Sequence, residues 1–216
     1  DIVLCSSEYL KEKVISRSGI NREVHIINNA ISLPQIRHFD SFPSKVQDAI
    51  NLLKSLKCSL LYIGTISQWF DFKLICEALD KKEDVQLVLI GPKDCDIPSH
   101  KQIHYIGSVE RQYIYSLMEQ ASALVMPFIV NELIRSVNPV KMYEYIYMEK
   151  PIIAPHYGEM EKFLPYINLY HDNDEFMSLV DQLSKSELQI SSEKGNEMKG
   201  FAEKNTWESR YEEVKK

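Results

Sequence analysis

Residues 60–64 read Leu60-Leu61-Tyr62-Ile63-Gly64, a short apolar run that ends in glycine. Runs of the same kind, bounded by Gly or Pro, recur at residues 87–91, 103–107, 123–127 and 151–154. Their hydrophobicity is continuous rather than alternating, which is typical of strands buried on both faces of a parallel sheet.

Helical patterns lie between these runs, with apolar residues at i, i+3, i+4 and i+7. The stripes are Phe72, Ile75, Cys76 and Leu79; Ile114, Leu117, Met118 and Ala121; and Phe176, Leu179, Val180 and Leu183. Strands that alternate with helices in this way predict an α/β fold with a Rossmann-like, doubly wound parallel sheet.

The composition argues against several classes of protein. The 216 residues include 25 basic and 31 acidic side chains, a formal charge of -6, so we expect no nucleic-acid partner. The four cysteines are far apart and form no C-x-x-C pair, which suggests neither a zinc site nor a redox motif. No apolar run approaches the roughly 18 residues that a membrane span needs, and we expect a cytoplasmic protein.

The segment from Asn131 to Tyr145 carries the clearest signs of chemistry. Asn138-Pro139 has the form of an N-cap followed by proline at the first helical position, so a helix is predicted to begin at the carboxyl edge of the sheet. A helix N-terminus at that edge offers free N–H groups and a partial positive charge to a phosphate. Lys141 and Glu144 share one face of this helix, where a cation near phosphates and a carboxylate near ribose hydroxyls would suit a nucleotide.

The sequence resembles a known family. The resemblance rests on the run from Asn138 to Pro151 and on residues 61–66, 69–71, 89–92, 105–107, 26–30 and 201–208. These motifs, in this order, are similar to the C-terminal, donor-binding domain of GT-B glycosyltransferases. The group-1 family, which builds bacterial surface polysaccharides, is the most similar.

The resemblance implies a nucleotide-diphosphate-sugar donor, whose sugar passes to an acceptor hydroxyl. Glu144 would bind the ribose, the turn at Gly64 and Thr65 would lie near the diphosphate, and the turn at Val109 would contact the base. The implied donor-binding residues together are Glu144, Lys141, Asn138, Val140, Gly64, Thr65, Val109 and Asn131. No cofactor and no metal ion is implied, and we read Asp94-Cys95-Asp96 as a solvated acidic loop.

The resemblance also implies an organisation and partners. Residues 1–43 would be the end of an N-terminal Rossmann domain and a linker, residues 44–205 the donor-binding domain, and residues 206–216 a helix that returns to the first domain. The acceptor would be a glycan or a lipid-linked glycan. Peripheral contact with the inner face of the cell membrane would involve the missing N-terminal domain. Because the chain begins at Asp1, we expect a piece of a longer protein that by itself transfers nothing.

Two positions depart from the family pattern and leave alternatives open. Many relatives have glutamate where this chain has Ser136, and glycine where it has Glu149. The retaining or inverting outcome therefore stays open, and Glu149 must either adopt a left-handed conformation or use another C-cap. A non-catalytic nucleotide-sugar-binding or assembly subunit, and a related sugar-nucleotide epimerase, are the alternative functions.

Overall fold

The computed structural model describes residues 2–18, 23–34 and 39–215. Asp1 and residues 35–38 of the predicted linker lie outside the described residues. The strands, in chain order, are β1 (Val3–Cys5), β2 (Val24–Ile26), β3 (Cys58–Ile63), β4 (Val85–Ile90), β5 (Ile103–Gly107), β6 (Ala123–Val125), β7 (Ile152–Pro155) and β8 (Asn168–Tyr170). The α-helices are α1 (Glu8–Ser18), α2 (Ser44–Ser55), α3 (Phe72–Lys81), α4 (Ile114–Glu119), α5 (Glu132–Arg135), α6 (Val140–Tyr147), α7 (Asn173–Ser184), α8 (Ser192–Lys204) and α9 (Trp207–Val214).

A six-stranded parallel sheet with the order β5-β4-β3-β6-β7-β8 forms the body of the described structure. The predicted apolar runs form five of these strands, and β3 is buried along its whole length. Helix stripes pack against the sheet as expected, with Val46 and Leu53 of α2 and Leu74 and Leu79 of α3 buried. The prediction of a Rossmann-like α/β fold is therefore confirmed.

Two features of the sheet differ from the sequence prediction. β5 is not buried on both faces, because it is an edge strand that pairs only with β4, and Tyr105 is exposed. β8 was not predicted from the sequence. Its apolar run is too short to predict a strand. β8 lies at the other edge of the sheet, where it pairs with β7. An edge position is decided by strand order, which the pattern of one strand does not contain.

A smaller parallel sheet, β1 paired with β2, lies outside the six-stranded sheet and carries α1 beside it. Helix α9 is attached to the segment that follows β2. The N–H of Ile31 donates to the carbonyl of Asn205 at 2.9 Å, and the guanidinium of Arg210 donates to the carbonyl of Asn28 at 3.1 Å. The end of the described chain therefore returns to its beginning. The predicted domain limits at residues 43 and 205 remain predictions.

Candidate functional site

The strand order reverses between β3 and β6, because the chain moves from β3 outward to β5 and then returns to β6 on the other side. In open parallel sheets, ligands bind beyond the carboxyl ends of the strands at such a point. Gly64 follows β3 at this place with a φ of 155°, and its N–H donates to the carbonyl of Ile90 at 2.8 Å. The predicted site residues Gly64 and Thr65 therefore lie at the switch point.

Helix α6 begins at the same edge of the sheet. The backbone N–H of Ile63, at the end of β3, donates to the phenol oxygen of Tyr145 at 3.1 Å, and burial raises the pKa of this phenol. This bond fixes the helix one turn after its start against the strand end. The helix N-terminus consequently points at the space beyond Gly64.

The predicted N-cap at Asn138 is wrong. The N-cap is Pro139, whose ring has no side-chain hydrogen bond to offer, and the helix begins at Val140. Asn138 is buried, and both ends of its side-chain amide have partners elsewhere. The oxygen accepts the backbone N–H of Asn29 at 2.9 Å, and the amide nitrogen donates to Glu159 at 3.1 Å. Long-range partners thus occupy the side chain that would have capped the helix. Its donor-binding role stays a prediction.

Lys141 lies across Gly64, in the space that a side chain at position 64 would need. Within residues 2–18, 23–34 and 39–215, its ammonium group has no hydrogen bond and no ion pair. Burial is the main cause that lowers the pKa of Lys141; the nearby Arg111 lowers it further and Glu144 opposes the shift. A cation without a partner, partly removed from water, favours an anionic ligand.

Glu144 lies on the same face of α6 as Lys141, with its side chain 14% exposed. The guanidinium of Arg111, just after β5, donates to one of its carboxylate oxygens at 2.9 Å. The second oxygen has no hydrogen-bond partner among the described residues. Arg111 was not predicted from the sequence, because nothing in the local pattern places a residue after β5 against α6.

The other predicted site residues occupy different parts of this edge. Thr65 is exposed beside Gly64, and Val140 opens α6 next to Lys141. Val109 is half-buried in the turn after β5, near the carbonyl of Ser108 that accepts the ammonium of Lys45. Asn131 caps α5, and its side-chain oxygen accepts the N–H of Ile134 at 2.9 Å. The structure therefore brings Gly64, Thr65, Val140 and Lys141 together, whereas Val109 and Asn131 lie to either side.

A cavity of about 420 Å³ opens beside Lys141. Aromatic side chains after β3 and β6 form part of its wall, and the segment from α5 to α6 forms the rest. The lining residues are Tyr62, Thr65, Trp69, Met126, Phe128, Leu133, Ile134, Val137, Pro139, Val140 and Lys141. The ring of Trp69 lines the cavity and packs edge-on against Phe128.

A second cavity, of about 460 Å³, lies between α1 and the loops after β6 and β7. It is lined by charged and polar groups, among them Glu12, Arg135 and His156. His156 is hydrogen-bonded to Glu161 at 2.9 Å, and its ring stacks on His171. This cavity faces the β1–β2 unit rather than the N-terminus of α6.

In the part of the chain that the structure describes, no three His, Cys, Asp or Glu side chains are arranged so that they could hold a metal ion. Within the same residues, no helix has both the length and the hydrophobicity that crossing a bilayer requires.

The sheet order and the flanking helices define a Rossmann-like α/β fold, and solved GT-B glycosyltransferases share this fold. A crystal structure of HepE from Anabaena with UDP-glucose superimposes with a TM-score of 0.73 at 12% identity, covering 99% of this chain. The structure of WaaG, a glycosyltransferase of lipopolysaccharide biosynthesis, gives a TM-score of 0.67 at 15% identity and covers 98% of the chain. At these identities the likeness concerns the fold.

Among curated proteins, the chain is similar to TuaH of Bacillus subtilis (strain 168), which is named as a teichuronic acid biosynthesis glycosyltransferase. The two are 24% identical over 229 residues, a region that includes all of this chain. No protein-family model matches the chain. The chain spans 56% of TuaH, 62% of HepE and 60% of WaaG, so it corresponds to somewhat more than half of each.

Proposed function

We propose that the chain binds a nucleotide-diphosphate sugar at the N-terminus of α6, as the donor-binding part of a glycosyltransferase. The observation that carries the proposal is the ammonium group of Lys141, which has no partner in the described structure and lies at the switch point beside Gly64. Diphosphate oxygens would supply the missing charge-assisted hydrogen bonds. The free oxygen of Glu144, on the same helix face, would accept a ribose hydroxyl.

The comparisons support this proposal from two sides. HepE, which shares the fold, is a protein whose crystal contains UDP-glucose, and TuaH is named as a glycosyltransferase. We propose the same kind of reaction here, transfer of the sugar to a hydroxyl of a glycan or lipid-linked glycan in surface polysaccharide biosynthesis. The acceptor site, and peripheral contact with the inner face of the cell membrane, are proposed for the portion of the relatives that the chain does not span. The reaction is proposed to need no metal ion.

The proposal predicts that one nucleotide diphosphate stabilises the protein. Thermal unfolding is measured with UDP, GDP and ADP. At a hundred times its dissociation constant, a ligand adds about 2.7 kcal/mol, which corresponds to a midpoint rise of roughly 5–10 °C for a chain of this size. Lys141→Met is expected to weaken the affinity about tenfold or more, because the ammonium group that lies over Gly64 is removed.

Lys57→Met is the matched control. This lysine is exposed and pairs with Asp84. It lies directly before β3, at the amino ends of the strands and away from the proposed site, so its removal should leave the nucleotide-induced shift unchanged. Absence of any shift at millimolar concentrations of all three nucleotides would contradict the proposal. An equal loss in both variants would mean that general positive charge, not Lys141, causes the binding.

The affinity is also expected to fall at alkaline pH. Burial holds the pKa of Lys141 below its ordinary value, and a bound diphosphate would raise it again. Binding is therefore strongest below the pKa that Lys141 has in the free protein, and it weakens as the pH rises from that value to the pKa of Lys141 in the complex. Because the first of these pKa values is lowered, the affinity begins to fall at a lower pH than it would for an ordinary lysine, whose pKa is about 10.4. Isothermal titration between pH 7.5 and 10 measures it, and Lys141→Arg, whose charge persists, should flatten the curve. A flat curve for the wild type would contradict the expectation.

A further inference from the structure

The cavity beside Lys141 is far more apolar than a saccharide. Trp69 and Phe128 supply its aromatic wall, and Leu133 and Val137 supply an aliphatic one. Its volume, about 420 Å³, is in the range of small-molecule sites. A cavity of this character lies at the place where the proposed donor would bind, so its chemistry bears on which donor fits.

Few polar side chains face the cavity, and the hydroxyl of one of them, Tyr62, already has a backbone partner. Of the described side chains that line it, Tyr62, Thr65, Trp69 and Lys141 carry polar atoms. The hydroxyl of Tyr62 donates to the carbonyl of Thr65 at 2.8 Å. The remaining side-chain groups are the indole N–H of Trp69, the ammonium of Lys141 and the hydroxyl of exposed Thr65.

The geometry places the cavity on one particular side of the proposed diphosphate. Glu144, the proposed ribose contact, is reached by Arg111 from the β5 side of the sheet. The cavity walls come instead from the segments after β3 and β6, on the other side of Lys141. A nucleotide with its ribose at Glu144 and its phosphates at Lys141 therefore directs the donor sugar, not the base, into the cavity.

We infer that this cavity selects a donor sugar that bears a methyl group, either a 6-deoxyhexose or an N-acetylated hexosamine, over a fully hydroxylated hexose. The inference rests on the proposed function. A hydroxyl placed against Phe128 and Val137 loses its hydrogen bonds to water and finds no replacement on these two side chains, whereas a methyl group there is removed from water favourably. The two kinds of sugar share this chemistry, and the measurement separates them.

The test is isothermal titration of the protein with UDP, UDP-glucose, UDP-6-deoxyglucose and UDP-N-acetylglucosamine, or with the same sugars on GDP or ADP if the nucleotide titration selects that base. One methyl-bearing donor is expected to bind about tenfold or more tightly than the glucose donor. Leu133→Gln introduces a polar group into the wall at a side chain that is 56% exposed, so the fold should persist. It should reduce the preference to about threefold or less.

Ile129→Gln is the matched control, because Ile129 is an exposed apolar residue of the neighbouring loop that does not line the cavity. It should keep the full preference. Equal or tighter binding of the glucose donor in the wild type would overturn the inference, as would a preference that survives in Leu133→Gln. In both cases binding of the bare nucleotide would leave the proposed function standing. Failure of every bare nucleotide to bind would overturn both.

Discussion

Gly91→Ala is expected to destabilise the protein by about 3 kcal/mol or more. Gly91 follows β4 with a φ of 139°, a conformation that residues with a side chain rarely adopt. A Cβ atom there would overlap the carbonyl oxygen of Gly64 and lie 2.7 Å from its carbonyl carbon. Both contacts are with backbone, which cannot swing away as a side chain does, so the ends of β3 and β4 would have to separate. Urea unfolding followed by circular dichroism measures the loss.

Gly200→Ala provides the opposite expectation within the same chain. Gly200 lies inside α8, and a Cβ at that position has nothing within 4 Å. Alanine should therefore stabilise the protein by about 0.5–1 kcal/mol, because it is a better helix former than glycine. A loss below about 1 kcal/mol in Gly91→Ala would show that the two strand ends can move apart cheaply. The switch point would then be a softer site than its close backbone contact indicates.

The architecture could be predicted from the sequence because it is encoded in local patterns. A run such as residues 60–64 carries its own evidence for a buried strand, and the stripe from Phe72 to Leu79 carries its own evidence for a helix. Asp71 comes directly before that helix, and its carboxylate accepts the N–H of Leu74 as an N-cap. Each of these inferences needs only neighbours in sequence.

At one unfavourable position, Glu149, the sequence limited the local conformation to two alternatives but did not decide between them. The sequence left Glu149 two solutions, and it adopts the left-handed one with a φ of 56°. Its carboxylate lies directly over Gly195 of α8, in the space that a side chain at position 195 would need. The partner at Gly195 could not be predicted, because it depends on how α8 packs against α6.

The site was harder to predict because long-range contacts decide it. Asn138 has an N-cap sequence, yet partners more than a hundred and about twenty positions away take its side chain. The phenol oxygen of Tyr145 is buried against the N–H of Ile63, which lies 82 positions away in the sequence. The pairing of Arg111 with Glu144 is likewise set by the approach of the turn after β5 to α6. Such contacts follow from the packing of elements, which no single sequence pattern specifies.

Glu159→Leu is expected to destabilise the protein by about 3 kcal/mol, since it removes the acceptor at the centre of a buried network. Glu159 is 3% exposed. Its carboxylate accepts the backbone N–H of Glu8 at 2.8 Å, the amide of Asn138 at 3.1 Å and the ammonium of Lys162 at 3.0 Å. Leucine would leave the buried amide of Asn138 and the backbone N–H of Glu8 without this acceptor, and Lys162 without its counter-charge. Chemical denaturation of the two proteins under identical conditions gives the difference.

Two further variants separate the buried charge from its surroundings. Glu161→Leu changes a carboxylate in the same turn that is 58% exposed and pairs with His156, so its effect should stay within about 0.5 kcal/mol. Glu159→Gln keeps one acceptor oxygen but presents an amide group to donors, and an intermediate loss of about 1–2 kcal/mol is expected. Equal losses in Glu159→Leu and Glu161→Leu would contradict the assigned role of the network.

The Glu159 network should also affect ligand binding, because it joins the start of α1 to Asn138, which lies two residues before α6. Asn138, held by Glu159 on one side and by the N–H of Asn29 on the other, fixes where the helix begins. Releasing it should move the N-terminus of α6 and with it Lys141. Glu159→Leu is therefore expected to weaken nucleotide affinity at temperatures where the protein is still folded, whereas Glu161→Leu is not. Unchanged affinity in folded Glu159→Leu would mean that the bond from Ile63 to Tyr145 is sufficient to place the helix.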